Sequence, residues 1–225
     1  MARLPALVDA LAALDGRERG VIDHMAREIR EAGLIQTTKR GRGSAEMSSL
    51  DAAHLILGIY GSDGRGTAAE AARSLGQLPV LRIPFLSPAP GVTLPNGVGA
   101  AQHQTTLAGV VAAVIEAGAQ LATQTPRTQG TLPVLGPLYP PSSDGLELED
   151  WPEGIAVLLR LHRPSLEAFV QFAWPGPEQV DHHTILFVPG GPAIDGIKAI
   201  AAYEVHTMVH TRIFQAMHRV LFGME

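Results

Sequence analysis

The sequence predicts an α+β fold built in three stretches: helical over residues 1–78, proline-rich over 79–150, and mixed strand and helix over 151–225. Two observations carry this division. Ten of the 17 prolines lie between Pro79 and Pro141, and only Pro5 precedes them. Proline removes a backbone donor and pushes the residue before it out of the helical region, so a dense run marks extended, irregular chain. After Trp151 the apolar residues change from three- and four-residue steps to alternation. Those are the periods of a helix face and of a strand face.

Taken in order, Leu4, Leu7, Val8 and Leu11 share one face of a first helix, closed by the turn signal Asp15-Gly16. A second helix starts near Arg17, with Val21, Met25 and Ile29 inward and Arg19, Asp23, Arg27 and Arg30 outward. Gly33 ends it as a left-handed C-terminal residue. LIQTT and SAEMS then flank KRGRG, the outline of a small hairpin with a basic, glycine-rich tip. Ser48 or Ser49 caps a third helix carrying Ala52, Leu55, Ile56 and Ile59. TAAEAARSL forms a short fourth. The run LGQLPVLRIPFLSPAPGVTLPNGVG reads as extended linker. A linker helix at about 104–124 follows, with Leu107, Val110, Val111, Val114, Ile115 and Leu121 in its stripe.

Past Trp151 the alternating segments GIAVLLRLH, LEAFVQFAW and HHTILFV are separated by turns and read as an antiparallel β-meander. Residues 197–206 alternate like a strand but are alanine-rich like a helix, and we take them as a fourth strand. Val209, Ile213, Met217 and Val220 then give a terminal helix one face to lay on the sheet, with the strand-to-helix boundary near Thr207. The second sheet face still offers Leu158, Phe169 and Leu186. Exposed apolar area of that kind marks an interface, so a homodimer or higher homo-oligomer is expected; the alternative is that the linker helix covers this face within one chain.

At residue level, REAGLIQTTKRGRGSAEMSSLDAAHLI resembles part of a MerR-type winged-helix domain, the stretch holding the end of a helix, the wing and the next helix. Glu31-Ala32-Gly33-Leu34-Ile35 matches the helix end, Lys39-Arg40-Gly41-Arg42-Gly43 the basic wing, and Ser48-Ser49-Leu50-Asp51 the capped helix with its early acid. The likeness covers roughly residues 4–60. It implies a winged-helix-like N-terminal domain and DNA as partner. The family opens with a distinct recognition helix, whereas DGRERGVIDHMAREIREAG reads equally as one helix or two.

The chemistry for DNA is local. Lys39, Arg40 and Arg42 on a glycine-rich tip could reach phosphates or the minor groove, and Arg17, Arg19, Arg27 and Arg30 could add helix contacts. The chain carries a formal net charge of −5. Residues 1–50 hold 8 Lys/Arg against 7 Asp/Glu, so modest affinity, aided by oligomerisation, is expected. The competing reading is that KRGRG is a solvated turn and the arginines a polar helix face.

Other chemistries find little support. There is no cysteine, which removes disulfides, thiolate catalysis and Cys-ligated metals. His206 and His210, with His182, His183 and Glu204 nearby, suggest a metal, but HExxH is missing and adjacent strand histidines face opposite sides. His24 and His54 read as helix-surface or interfacial residues. GxSxG and GxxxxGK[ST] are absent too. We expect no metal, no cofactor and no catalytic residues. Leu107–Ala122 falls short of the roughly 20 apolar residues of a membrane span, and no signal-peptide pattern opens the chain. The expected setting is cytoplasmic, and the expected role is DNA-binding regulation or an accessory function. A protein–protein assembly module without direct DNA binding is the alternative.

Overall fold

A computed structural model of the chain describes residues 2–36, 45–62, 67–81, 94–122, 154–163, 166–175, 180–187, 189 and 205–223. The KRGRG tip, the stretch 123–153 and residues 190–204 lie outside the described residues. The described residues form seven α-helices and one open five-stranded antiparallel sheet, an α+β architecture.

Four helices open the chain. α1 (Leu4–Asp15) buries Leu7, Val8 and Leu11 and stops at Gly16, whose φ of +81° suits glycine. α2 (Arg19–Glu31) buries Ile22, Met25, Ala26 and Ile29. Met25 and Ile29 are buried as expected, but Val21 is 45% exposed and its neighbour Ile22 takes the inward place in the packing against α1 and the next two helices. Gly33 adopts φ +75°, and the amides of Gly33 and Leu34 bond back to Arg30 and Ile29, a left-handed helix stop. α3 (Ser49–Gly61) and α4 (Ala68–Gly76) each begin with a capping box, Ser48 with Asp51 and Thr67 with Glu70. The Glu28 carboxylate of α2 also accepts the Ala68 amide at 3.0 Å, tying α4 to α2.

The proline-rich stretch holds more regular structure than expected. Val80–Leu81 forms β1, a short edge strand. α5 (Asn96–Gln102) lies in chain read as extended. Pro95 directly precedes it, and proline with its fixed φ is compatible with a helix start. The following helix, α6 (Leu107–Glu116), is shorter than the expected span of 104–124 and is followed by a 3-10 turn at Gly118–Gln120. Gly118 lies against the terminal helix: a Cβ there would sit 2.3 Å from His218 Cβ.

β2 (Ala156–Arg163), β3 (Glu167–Pro175) and β4 (Val180–Phe187) pair consecutively as a meander. A further C-terminal strand, β5 (Val205–His210), shares only residues 205 and 206 with the strand expected over 197–206, whose remainder lies outside the described residues; it pairs with β2, so the sheet order is β1-β4-β3-β2-β5. α7 (Thr211–Phe222) follows without a linker, four residues later than the expected boundary. Thr211 explains the junction: its hydroxyl accepts from Val157 N at 2.9 Å and donates to Val157 O at 3.1 Å. One turn on, Gln215 Nε2 donates to the carbonyls of Leu121 and Ala122 at 2.9 and 3.0 Å. His218 Nδ1 lies 2.8 Å from Ile115 O, and since a carbonyl only accepts, that nitrogen carries the proton. A buried polar stripe on α7 therefore satisfies backbone groups at the end of α6 and on β2.

One sheet face, with Val157, Leu159, Leu161, Val170, Phe172, Ile185 and Phe187, shares a continuous buried cluster with all four opening helices and with α6 and α7. The other face departs from expectation. Leu158, Phe169 and Leu186 are only 3%, 5% and 3% exposed within a single chain, and Leu81 of β1 joins the last two. They therefore form no exposed apolar patch, and the oligomer expected from an exposed face does not follow from these residues.

Candidate nucleic-acid interface

α1 and α2 are joined by three residues, Gly16-Arg17-Glu18, with the left-handed Gly16 at the first. A glycine-containing turn this short joins the two helices as a packed helical pair. The segment that reads as one helix or two is thus a short turn and one helix, α2. Its solvent side carries Arg19, His24, Arg27 and Arg30, all exposed.

These side chains are not equally available. Arg19 pairs with Asp9 of α1. Arg27 pairs with Asp23 at 3.0 Å, and His24 Nε2 lies 3.5 Å from Glu28. Each is a surface pair worth little, and a phosphate could replace the carboxylate at small cost. Arg30, in the last turn, makes no ion pair among the described residues.

Arg17 has a different setting. Its guanidinium forks onto the Asp15 carboxylate, with Nη2 2.7 Å from Oδ2. Both terminal nitrogens donate to Ile59 O at 3.3 Å, and the group lies over the Tyr60 ring at 5.7 Å. Burial alone would raise the Asp15 carboxyl, but the hydrogen bond and charge of Arg17 outweigh it and hold the carboxyl below its usual value. Bonding to Asp15 in turn raises Arg17. Burial, then the Asp15 charge, pushes the Tyr60 phenol well above its ordinary range. Arg17 thus anchors the interhelical turn to the end of α3.

Lys39, Arg40 and Arg42 lie outside the described residues, but the chain on either side of them is well tied. Asp51, only 4% exposed, accepts from Gln36 N at 2.9 Å through Oδ1 and from Ser48 N at 2.8 Å through Oδ2. Ser48 Oγ adds a bond to Oδ2 at 2.7 Å. Met47 N donates to Ala2 O at 3.0 Å, and His54 Nδ1 donates to Leu34 O at 2.8 Å. Burial lowers the His54 pKa despite that bond, so the ring is neutral near pH 7. His54, read from sequence as a surface or interfacial residue, is a backbone tether. The signal for it was its spacing: three residues after Asp51, it occupies the same side of α3.

His162 of β2 and His206 of β5 stand opposite each other in the sheet register, and His210 stands opposite Leu158. His206 and His210 are both in β5, and four residues along a strand separate their backbones by roughly 13 Å. His182 and His183 are adjacent in β4, pairing with Ala173 and Phe172, and His183 is buried against the Phe172 ring. Among the described residues no group of three or more His, Asp or Glu could hold a metal, and no helix is long and apolar enough to cross a membrane. Comparison of the chain with protein-family models, with curated proteins and with solved structures gives no match.

Proposed function

We propose that this chain is a cytoplasmic DNA-binding regulatory or accessory protein, which contacts DNA through the outer side of α2 and the basic segment Lys39–Arg42. The observation that carries the reading is the α1–Gly16–α2 arrangement, with exposed Arg19, Arg27 and Arg30 on its second helix. Lys39, Arg40 and Arg42 follow the end of α2 by eight to eleven positions and add three cations. With the N-terminal charge so nearly balanced, affinity rests on local phosphate contacts and falls steeply with salt. Two copies on adjacent half-sites would double those contacts, as they do for helix-turn-helix dimers.

Fluorescence anisotropy of a labelled duplex tests this. Replacing Lys39, Arg40 and Arg42 together by Ala should reduce the salt slope by about 2.7, the contribution of three phosphate contacts. Binding indifferent to that change would count against the reading. One observation favours the alternative, an assembly module: Leu14 and Val21, on either side of the α1–α2 turn, are 44% and 45% exposed. A defined oligomer with no affinity for DNA would favour it.

A further inference from the structure

We propose that His24 is a further phosphate-contacting residue of α2, making its contact only with the imidazole protonated, so that DNA affinity rises as pH falls; this rests on the DNA reading above. The place of the residue follows from helical geometry. Ile22, Met25, Ala26 and Ile29 define the buried side of α2. At about 3.6 residues per turn, the line directly opposite them runs through Gly20, His24, Arg27 and Glu31. All four are exposed, and His24 stands near the middle with its side chain 71% exposed. A duplex that meets α2 squarely therefore meets His24.

Charge decides what that meeting does. Along α2 three arginines, Arg19, Arg27 and Arg30, stand against three carboxylates, Asp23, Glu28 and Glu31. They cancel, so one proton on His24 makes the helix positive rather than neutral. The ring has a defined setting. Its Nε2 faces the Glu28 carboxylate at 3.5 Å, and that carboxylate is held in turn by the Ala68 amide of α4 at 3.0 Å. Arg27 pairs with Asp23, and Asp9 of α1 with Arg19. Among the described residues no charged side chain of α1, α3 or α4 pairs with His24, and Nδ1 has no hydrogen-bond partner. A neutral imidazole has one N–H and one lone pair. With the N–H turned to Glu28, Nδ1 presents its lone pair outward and repels a phosphate oxygen. Protonation makes both nitrogens donors, so Nε2 keeps Glu28 while Nδ1 gains the phosphate. Histidine is the side chain that changes charge between about pH 5 and 8. A phosphate beside the ring favours its charged form, so the complex holds a proton that the free protein loses as pH rises, and affinity falls with it.

The experiment uses the full chain and a labelled duplex, titrated by fluorescence anisotropy over a salt series at about pH 5.5 and about pH 8. Circular dichroism establishes that each protein is folded at both. The wild-type slope of log affinity against log salt should be steeper by about 0.9 at the lower pH, the contribution of one further phosphate contact. His24→Gln keeps a polar side chain without the charge; it should retain the slope of pH 8 and lose the difference. His24→Arg is charged throughout and should show the steeper slope at both pH values. The chain holds nine histidines, so only the part of the pH effect that His24→Gln removes belongs to His24. A wild-type slope equal at the two pH values, or a difference undiminished in His24→Gln, overturns the assignment and leaves the DNA reading standing on its arginines. Absence of salt-dependent binding at both pH values sinks the DNA reading itself, and this assignment with it.

Discussion

Replacing Arg17 by Ala separates the two roles open to this residue, strut and phosphate ligand. The substitution leaves the Asp15 carboxylate, 5% exposed at its side chain, without its cation, and removes both donors to Ile59 O. Stranding a buried, charge-assisted acceptor costs about 1–3 kcal/mol. The Arg17 side chain is 37% exposed, so water screens part of the pairing and excludes the upper end. We expect a loss of about 2 kcal/mol, which in a chain of this length lowers Tm by roughly 4–8 °C. The pH dependence adds a signature. The folded Asp15 carboxyl titrates below its ordinary value, so its contribution is complete above the usual carboxylate range and is lost as pH falls through the lowered folded pKa. Without Arg17, burial is opposed only by the Tyr60 hydroxyl and the carboxyl moves up, so the stability gap should be widest near pH 7 and shrink on acidification. Urea unfolding at a series of pH values measures it. Equal stability of the two proteins at pH 7, or a gap constant down to acid pH, would refute the reasoning. The folded variant should keep its DNA salt slope; a slope reduced by about 0.9 would identify Arg17 as a phosphate ligand after all.

Three further outcomes follow from the packing. Gly118→Ala puts a Cβ 2.3 Å from His218 Cβ and should destabilise by about 1–3 kcal/mol in thermal unfolding, as overpacking does. Gln215→Ala strips the donor from the carbonyls of Leu121 and Ala122 and should cost about 1–3 kcal/mol in the same assay, with DNA affinity unchanged at a temperature where the protein is folded. Leu158→Ala should cost about 2–5 kcal/mol in urea unfolding without altering the mass in solution; a change of mass at unchanged stability would return Leu158 to an interface.

What the sequence made legible is mostly local. The caps of α3 and α4, the stop at Gly33 and the alternation of β2, β3 and β4 depend on residues a few positions apart. The choice between Val21 and Ile22 does not, since both are apolar neighbours on α2 and only the packing of α1, α3 and α4 selects one. α5 was missed because Pro95 reads as a breaker and NGVGAAQ offers little apolar periodicity; Gly97 lets it approach closely, as a Cβ there would meet Ala117 Cβ at 2.4 Å. Alternation tells which face a strand residue takes, not which strand lies beside it, so neither the place of β5 next to β2 nor the burial of Leu158 and Phe169 could be read. The candidate site divides the same way. The exposed arginines of α2 follow from helical period, but the Arg17 anchor needs a carbonyl 42 positions away, and the bond of Asp51 to Gln36 needs an amide 15 positions away.

The most direct measurement is the affinity of the whole chain for a labelled DNA duplex between about 50 and 200 mM salt. Arg19, Arg27, Arg30, Lys39, Arg40 and Arg42 acting together set an upper limit near −5 for the slope of log affinity against log salt, and the basic segment alone gives about −2.7. The expected slope lies between these values. No binding at the lowest salt, or binding that does not weaken as salt rises, would contradict it.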